Sequence, residues 1–516
     1  MRKWLAVLGS TVLSLSLAVP VPAAADGQEA PSSRQTLYRA DVRIDPWKHR
    51  VAGSVEIRFW PMNAEKAYLH VYPLAFTEEH KGVLWDELLG KEVELGTYDN
   101  NRIEVQGKLV AAKRIGDAME VPLAQAAGQL AGKAEPVSLK LDFSMVLPRN
   151  EGRMSYDEHA LWLGNWLPIL AVWDQQGWHL DPYEPIGDPF FSETANYEVN
   201  VTLPETYQLT STATDHAAIL DSTVHGQRTY RLQAAGVRDF ALVVMDSTYR
   251  LQTTKTGNTE VRTWHRETDS LEQAQRNHLA AVESLGYFSS QFGTYPYTEY
   301  DVVRIGGSIN GMEYPSIVFL DGRYFMPGGN SGIVTAVHET AHQWFYALVG
   351  NNQIDEAWLD EGFAEYAALA FLSDHYPLLG ADRVRVRLKN GNHTPEYTRE
   401  HLRPWQTLHA FPDNRSYSDL VYSRTATMLW MLRQAWGEEQ LHEVLREHVS
   451  AHRFGIASGA AWRARLSEAA GEDAGAFLDY WINLDMAKQA DAASWLERQR
   501  QKQGGKGQKI DGTAEK

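Results

Sequence analysis

The chain contains no cysteine. Disulfides, thiol catalysis and lipid attachment through a cysteine are therefore excluded, and stability has to come from a packed core and any bound metal. Positive charge is in deficit. Lys and Arg number 49 against 66 Asp and Glu, a formal net charge of −17. That balance argues against nucleic acid or an anionic membrane as partner. Long apolar runs are scarce as well. The main one, Leu5 to Val19, is short of the roughly 20 residues that a membrane span needs. Arg2 and Lys3 precede it, Pro20 and Pro22 end it, and Ala23-Ala24-Ala25 follows. Residues 1–25 therefore read as a secretory signal peptide cleaved after Ala25. The expected product is secreted or lies in the cell envelope, with no stable membrane anchor. No internal repeat is present.

Aromatic residues, by contrast, are plentiful: 17 Trp, 23 Tyr and 16 Phe, enough for a large core. Val51, Gly53, Val55, Ile57 and Phe59 alternate with polar residues, as do Val137, Leu139, Leu141 and Phe143, and Tyr197, Val199, Val201 and Leu203. A period of two marks half-buried antiparallel strands. Residues 35–250 thus read as an N-terminal all-β domain, a saddle or sandwich of sheets. Residues 157–192, rich in Trp and Pro, break the alternation and read as a covered loop or as a lip over a site. Leu271, Ala274, Leu279, Val282, Leu285 and Phe288 recur at helical spacing. Residues 251–490 read as a mainly helical domain with a small sheet, giving an α+β chain overall. His448 shares a helix face with Leu441, Val444 and Leu445, which places it at a core edge rather than on a metal. The Gln/Lys/Gly-rich stretch 497–516 reads as a disordered tail.

The densest chemistry lies near the middle. His338, Glu339 and His342 form an H-E-x-x-H pattern flanked by Ile333, Val334, Val337, Phe345 and Leu348. On a helix, a spacing of four sets both imidazoles on one face about a turn apart, where they can reach one ion. Glu339 can then address a water on that ion. The apolar flanks make the helix a buried one, and burying two histidines beside a carboxylate without a metal is costly. Glu361, in the run W-L-D-E-G-F-A-E-Y from Trp358, is available as a third ligand, with Asp360 in the cap region. The pattern reads as a catalytic zinc site with one coordination position open.

His338-Glu339-x-x-His342 and Glu361 in this context resemble the aminopeptidase N family of zinc metallopeptidases, the gluzincins. Upstream, Gly311-Met312-Glu313 in N-G-M-E-Y-P is similar to the family's G-x-M-E-N motif. Downstream, Val421-Tyr422-Ser423-Arg424-Thr425-Ala426 is similar to the segment bearing the family's catalytic tyrosine. The resemblance spans about residues 35–490. It implies a saddle-like β domain followed by a thermolysin-like zincin domain, and one zinc ion on His338, His342 and Glu361. It also implies Glu339 as general base, Tyr422 as hydrogen-bond donor to the oxyanion, and Glu313 as the anion that reads the substrate's α-ammonium. Gly311 would allow close approach of the peptide, and Met312 would line the pocket for the first side chain. Aligning Trp166-Leu167-Pro168 with the family puts Asn165 at the ammonium site, with Glu184 and Asp174 as alternatives. Glu365, one turn beyond Glu361, is placed either to orient a histidine or to face solvent.

The sequence departs from the family at Tyr314, where Asn is usual, and at Arg424-Thr425, where Lys-Gly is usual. It also ends about where the family's catalytic domain ends, as in a short bacterial-type member without C-terminal domains. The expected activity is hydrolysis of the N-terminal peptide bond of peptides with a free N-terminus. Two other readings stand beside it: a thermolysin-type zinc endopeptidase, and a non-catalytic binding protein on a peptidase fold. The oligomeric state is not legible.

Overall fold

The computed structural model describes residues 35–62, 65–123, 135–214, 226–393 and 395–507. The signal-peptide expectation for 1–25 and the last part of the tail, 508–516, lie outside these residues.

The alternating stretches do form strands with one buried face. Val51, Val55, Ile57 and Phe59 are all buried, as are Val137, Leu139, Leu141 and Phe143. They belong to a seven-stranded sheet ordered Gln227–Val237, Ala195–Pro204, Leu37–Asp45, Arg50–Phe59, Val137–Val146, Thr97–Val105, Lys108–Leu109. One pairing corrects the all-antiparallel expectation. Leu37–Asp45 runs parallel to Ala195–Pro204, with Leu37 opposite Asn196. Alternation reports which face is buried, not the direction of the neighbour. Two four-stranded sheets and a two-stranded one, Trp173–Asp174 with Gly177–Trp178, accompany the seven-stranded sheet. Their core includes Trp162 and Trp166 and continues into Val303, Ile305, Met312, Tyr314 and Phe319 of the next domain.

That domain opens on a five-stranded sheet ordered Tyr249–Thr256, Thr259–Arg266, Glu299–Ile305, Ile317–Asp321, Gly311–Met312. The sheet starts at Tyr249, slightly ahead of the expected boundary at 251. The glycine-methionine pair is its edge, antiparallel to the neighbour with Gly311 opposite Leu320. The Leu271–Phe292 helix, capped by the Ser270 side chain, packs on the sheet through Ala274, Ala281, Leu285 and Phe288. Leu271 and Leu279 instead lie on its exposed side, so the expected apolar face is narrower than the spacing suggested. The Glu361–His375 helix is buried on every side from Glu361 to Leu372. His448 is 2% exposed and packs its ring against Phe363 and Trp462, inside the core rather than at its edge.

Two further expectations change. The segment 157–192 is not a single lip. Ala160–Leu163 is a strand, Trp162 and Trp166 are core, and residues 185–188 reach the cleft. The disordered tail does not begin at 497, because the Gln489–Gly507 helix runs through it. Gln499 is buried there, accepting from Trp436 Nε1 at 3.2 Å and donating to Glu472 at 2.6 Å. Trp495 and Leu496 anchor the helix in the core, and polar side chains carry its order past 497, where apolar content was a poor guide. Among the described residues no helix is long and apolar enough to cross a membrane.

Candidate metal centre and active-site cleft

The Ser331–Ala341 helix buries Ile333, Ala336 and Val337 against the core, which turns His338 and Glu339 toward a cleft of about 680 Å³. His342 follows at the helix C-terminus. The two rings stand nearly perpendicular, at 84°. The Glu361–His375 helix enters from the other side. Asp360 caps it, its carboxylate accepting from Glu361 N at 2.9 Å and from Gln353 at 2.7 Å. That cap fixes the helix start and with it Glu361.

Three ligand atoms converge. His338 Nε2 and His342 Nε2 are 3.1 Å apart, and Glu361 Oε2 lies 3.2 and 3.1 Å from them. A tetrahedral zinc ion sets its ligand atoms roughly 3.3 Å apart, so the triangle fits one. One outward nitrogen is hydrogen-bonded, as in metal-binding imidazoles generally, and the other is within ion-pair range of a carboxylate without hydrogen-bond geometry. His342 Nδ1 lies 2.9 Å from the Phe345 carbonyl, and His338 Nδ1 lies 3.2 Å from Glu365 Oε2. Glu365 therefore orients a histidine rather than facing solvent. Burial opposes its charge, but Arg387 at 2.6 Å and His338 outweigh this and hold the carboxyl well below its usual range.

Glu339 is buried at the cleft, and burial pushes its carboxyl up to about 7 against the pull of His338 and His342. Gly311 passes so close that a Cβ there would lie 2.1 Å from Glu339 Oε1. Only glycine leaves this carboxylate its place. Glu313 is 3% exposed, borders the cleft, and its Oε1 has no hydrogen-bond partner. Glu313, Glu339 and His342 bring an atom each within 4.8 Å of one another. Burial raises the Glu313 carboxyl well above its usual range, and nearby Asp188 adds to this.

Tyr422 lies on a π-helical stretch, Ser418–Arg424, a wider turn that recurs at functional sites. Its hydroxyl donates to Glu361 Oε1 at 2.5 Å. Glu361 thus gives one oxygen to the histidine pair and the other to the tyrosine. Burial, reinforced by the Glu361 charge, holds the phenol well above its ordinary range, so Tyr422 remains a donor. Arg424 points away and donates to the carbonyls of Trp481, Gly391 and Tyr480. It is a packing residue. Thr425 fills the space that a side chain at Gly362 would need, with its Cβ 2.3 Å from that position.

Met312 and Asn165 do not line the cleft. Met312 is fully buried and its sulfur accepts from Arg153 Nε at 3.1 Å. Asn165 is buried behind the site, where its Oδ1 accepts from the Tyr314 hydroxyl at 2.5 Å. Tyr314 thus serves a domain contact, packed on Gly164. Glu184 and Asp174 are also absent from the lining. The β domain brings two acidic groups to the cleft: Glu87, which accepts from Asn414 at 2.7 Å, and Asp188, held by Arg153 Nη2 at 2.6 Å. Burial pushes the Asp188 carboxyl up to about 6, with Arg153 opposing. The sequence signal for it was faint: a Gly-Asp-Pro triplet inside the irregular segment.

Residues 278–481 match the Peptidase family M1 domain. The chain is 28% identical over 214 residues to Aminopeptidase 2 of Candida albicans, which covers 39% of this chain and 23% of that protein. It is 28% identical over 159 residues to Aminopeptidase N of Lactococcus lactis, covering 29% and 18%. The matched region thus spans less than a quarter of either relative. The fold is shared more widely. A crystal structure of an M1 zinc metallopeptidase from Deinococcus radiodurans superimposes with a TM-score of 0.59 at 17% identity, over 87% of this chain and 94% of that one. A mutant of that enzyme bound to a Tyr-Ser-Ala substrate gives 0.58 at the same identity and coverage.

Proposed function

From the peptidase family M1 domain that residues 278–481 form, we propose that this protein is an exported zinc aminopeptidase that removes residues from the free N-terminus of peptides. The observation that carries the reading is Glu313. A buried carboxylate with an unpartnered oxygen beside the metal triangle is costly unless a cation completes it. A substrate α-ammonium is such a cation. A longer chain running through the site would instead set its carbonyl oxygens against a carboxylate.

His338, His342 and Glu361 would hold the zinc ion. When bound, the ion activates water and polarises the scissile carbonyl. Glu339, with its affinity for protons raised by burial to about 7, takes the water proton and passes it to the leaving amine. Tyr422 keeps its proton and turns its hydroxyl from Glu361 toward the negative charge that develops on the substrate oxygen. Glu365 and the Phe345 carbonyl keep both imidazoles aimed throughout. Gly311, in the edge strand of the sheet and in the cleft wall, is where an extended peptide can pair.

A peptide offered with a free and with an acetylated N-terminus tests the reading, assayed with zinc and after chelation. Losing a charge-assisted contact at a buried site costs roughly 2–5 kcal/mol, so the free peptide should be cleaved at least about 30-fold faster, and only with metal. Equal cleavage of both would sink the aminopeptidase reading. Export is supported by the sequence from Arg2 to Ala25. Recovery outside the cell of a chain that begins at Asp26 is its test.

A further inference from the structure

The cleft is lined by charges of both signs. Glu313 and Asp188 lie beside His342. On the His338 side, beyond Glu365, stands a cation that the proposed chemistry does not use. Arg383 lines the cleft from the Pro377–Gly391 helix with its side chain 29% exposed. Its contact with Glu365 is long, 3.7 Å, because Arg387 takes that carboxylate at 2.6 Å. Its Nε is buried with no hydrogen-bond partner. The neighbouring Asp382 carboxylate is paired with Arg385 at 2.6 Å. Its partly exposed Nη end, held to Glu365 only at 3.7 Å, therefore has donors to spare where it lines the cleft.

We infer that Arg383 receives the C-terminal carboxylate of a short peptide, so that the preferred substrates are di- and tripeptides held as zwitterions between Glu313 and Arg383. This rests on the aminopeptidase reading. The reach is suitable. Arg383 is separated from the His338 imidazole by the width of one carboxylate, Glu365, which touches both. An extended chain covers about 3.3–3.6 Å per residue, so one or two residues past the scissile bond bring a terminal carboxylate to the guanidinium. A planar guanidinium with free donors is suited to a carboxylate.

The test compares Ala-Ala-Ala with its C-terminal amide on the zinc-loaded full chain, in wild type and in Arg383→Gln and Arg383→Lys. Wild type should favour the acid at least about tenfold in kcat/KM, mainly through KM. Arg383→Gln should bring the ratio to near one, and Arg383→Lys should recover part of it. A purely structural role for Arg383 would lower acid and amide alike and leave the ratio unchanged, which would overturn the inference. So would equal use of acid and amide by wild type, or a gain confined to peptides with an acidic second residue. Failure of the underlying reading shows separately, as equal cleavage of N-acetylated and free tripeptide.

Discussion

Glu361 is the residue on which the site balances. One of its oxygens closes the triangle with His338 and His342, and the other accepts from Tyr422. Glu339 touches none of these and is free to move a proton. Glu339→Ala should therefore abolish turnover, a loss of at least about 10²–10⁴ in kcat, while zinc content stays near one per chain. Metal analysis of the purified variant checks this, and loss of the metal would refute the division of roles. Tyr422→Phe removes a donor and leaves the ligand carboxylate in place. It should lower kcat about 10²–10³-fold with little change in KM; a near-wild-type rate would take Tyr422 out of the chemistry. At this scale the sequence was informative where a role is held within a few contiguous residues. His338, Glu339, His342, Glu361, Glu313 and Tyr422 each sit in a local motif, and all line one cleft. Asp188 and Arg153 were not legible, because they meet across 35 positions between two irregular segments. Asn165 shows the reverse error, since a local alignment says nothing of which side of a loop faces the cleft.

Among the elements, the Glu438–His452 helix carries a testable burden. It places His448 and His442 inside the core, where burial lowers their imidazoles to about 3 and about 4. Unfolded histidine titrates near 6.5. Above that pH both states are neutral and the helix packs without penalty. As pH falls below it, the unfolded chain binds protons that the folded one refuses, so stability is lost between about 6.5 and 4. Thermal unfolding should show a falling Tm across that window, with a shallower fall in His448→Asn. An equal slope in the variant would remove His448 from the acid response. Helix and strand identity were mostly legible, because one buried face leaves a periodic trace. Partner and direction were not, as the parallel pair Leu37–Asp45 with Ala195–Pro204 shows. Nor was order in the Gln489–Gly507 helix, which is held in part by the hydrogen bonds of Gln499 and Lys502.

Across the whole molecule, the β domain and the metal-bearing domain act as one body around the cleft. Their cores are continuous through Met312, Tyr314 and Phe319. Arg238 of the β domain donates to the Tyr346 carbonyl at 2.7 Å, just past the metal helix, and to Ser192 O at 2.9 Å. The same junction delivers Asp188 beside Glu313, so the acidic pair proposed to read the substrate's charged end comes from both domains. In the proposed reading, Glu313 is the group that converts a general hydrolytic centre into one that reads an N-terminus. The decisive measurement is kcat/KM for one tripeptide, free and N-acetylated, on zinc-loaded wild type and Glu313→Gln. The account predicts a wild-type preference for the free N-terminus of at least about 30-fold, collapsing toward parity in the variant through slower cleavage of the free peptide. Equal cleavage by wild type, or a preference that survives the substitution intact, would contradict it.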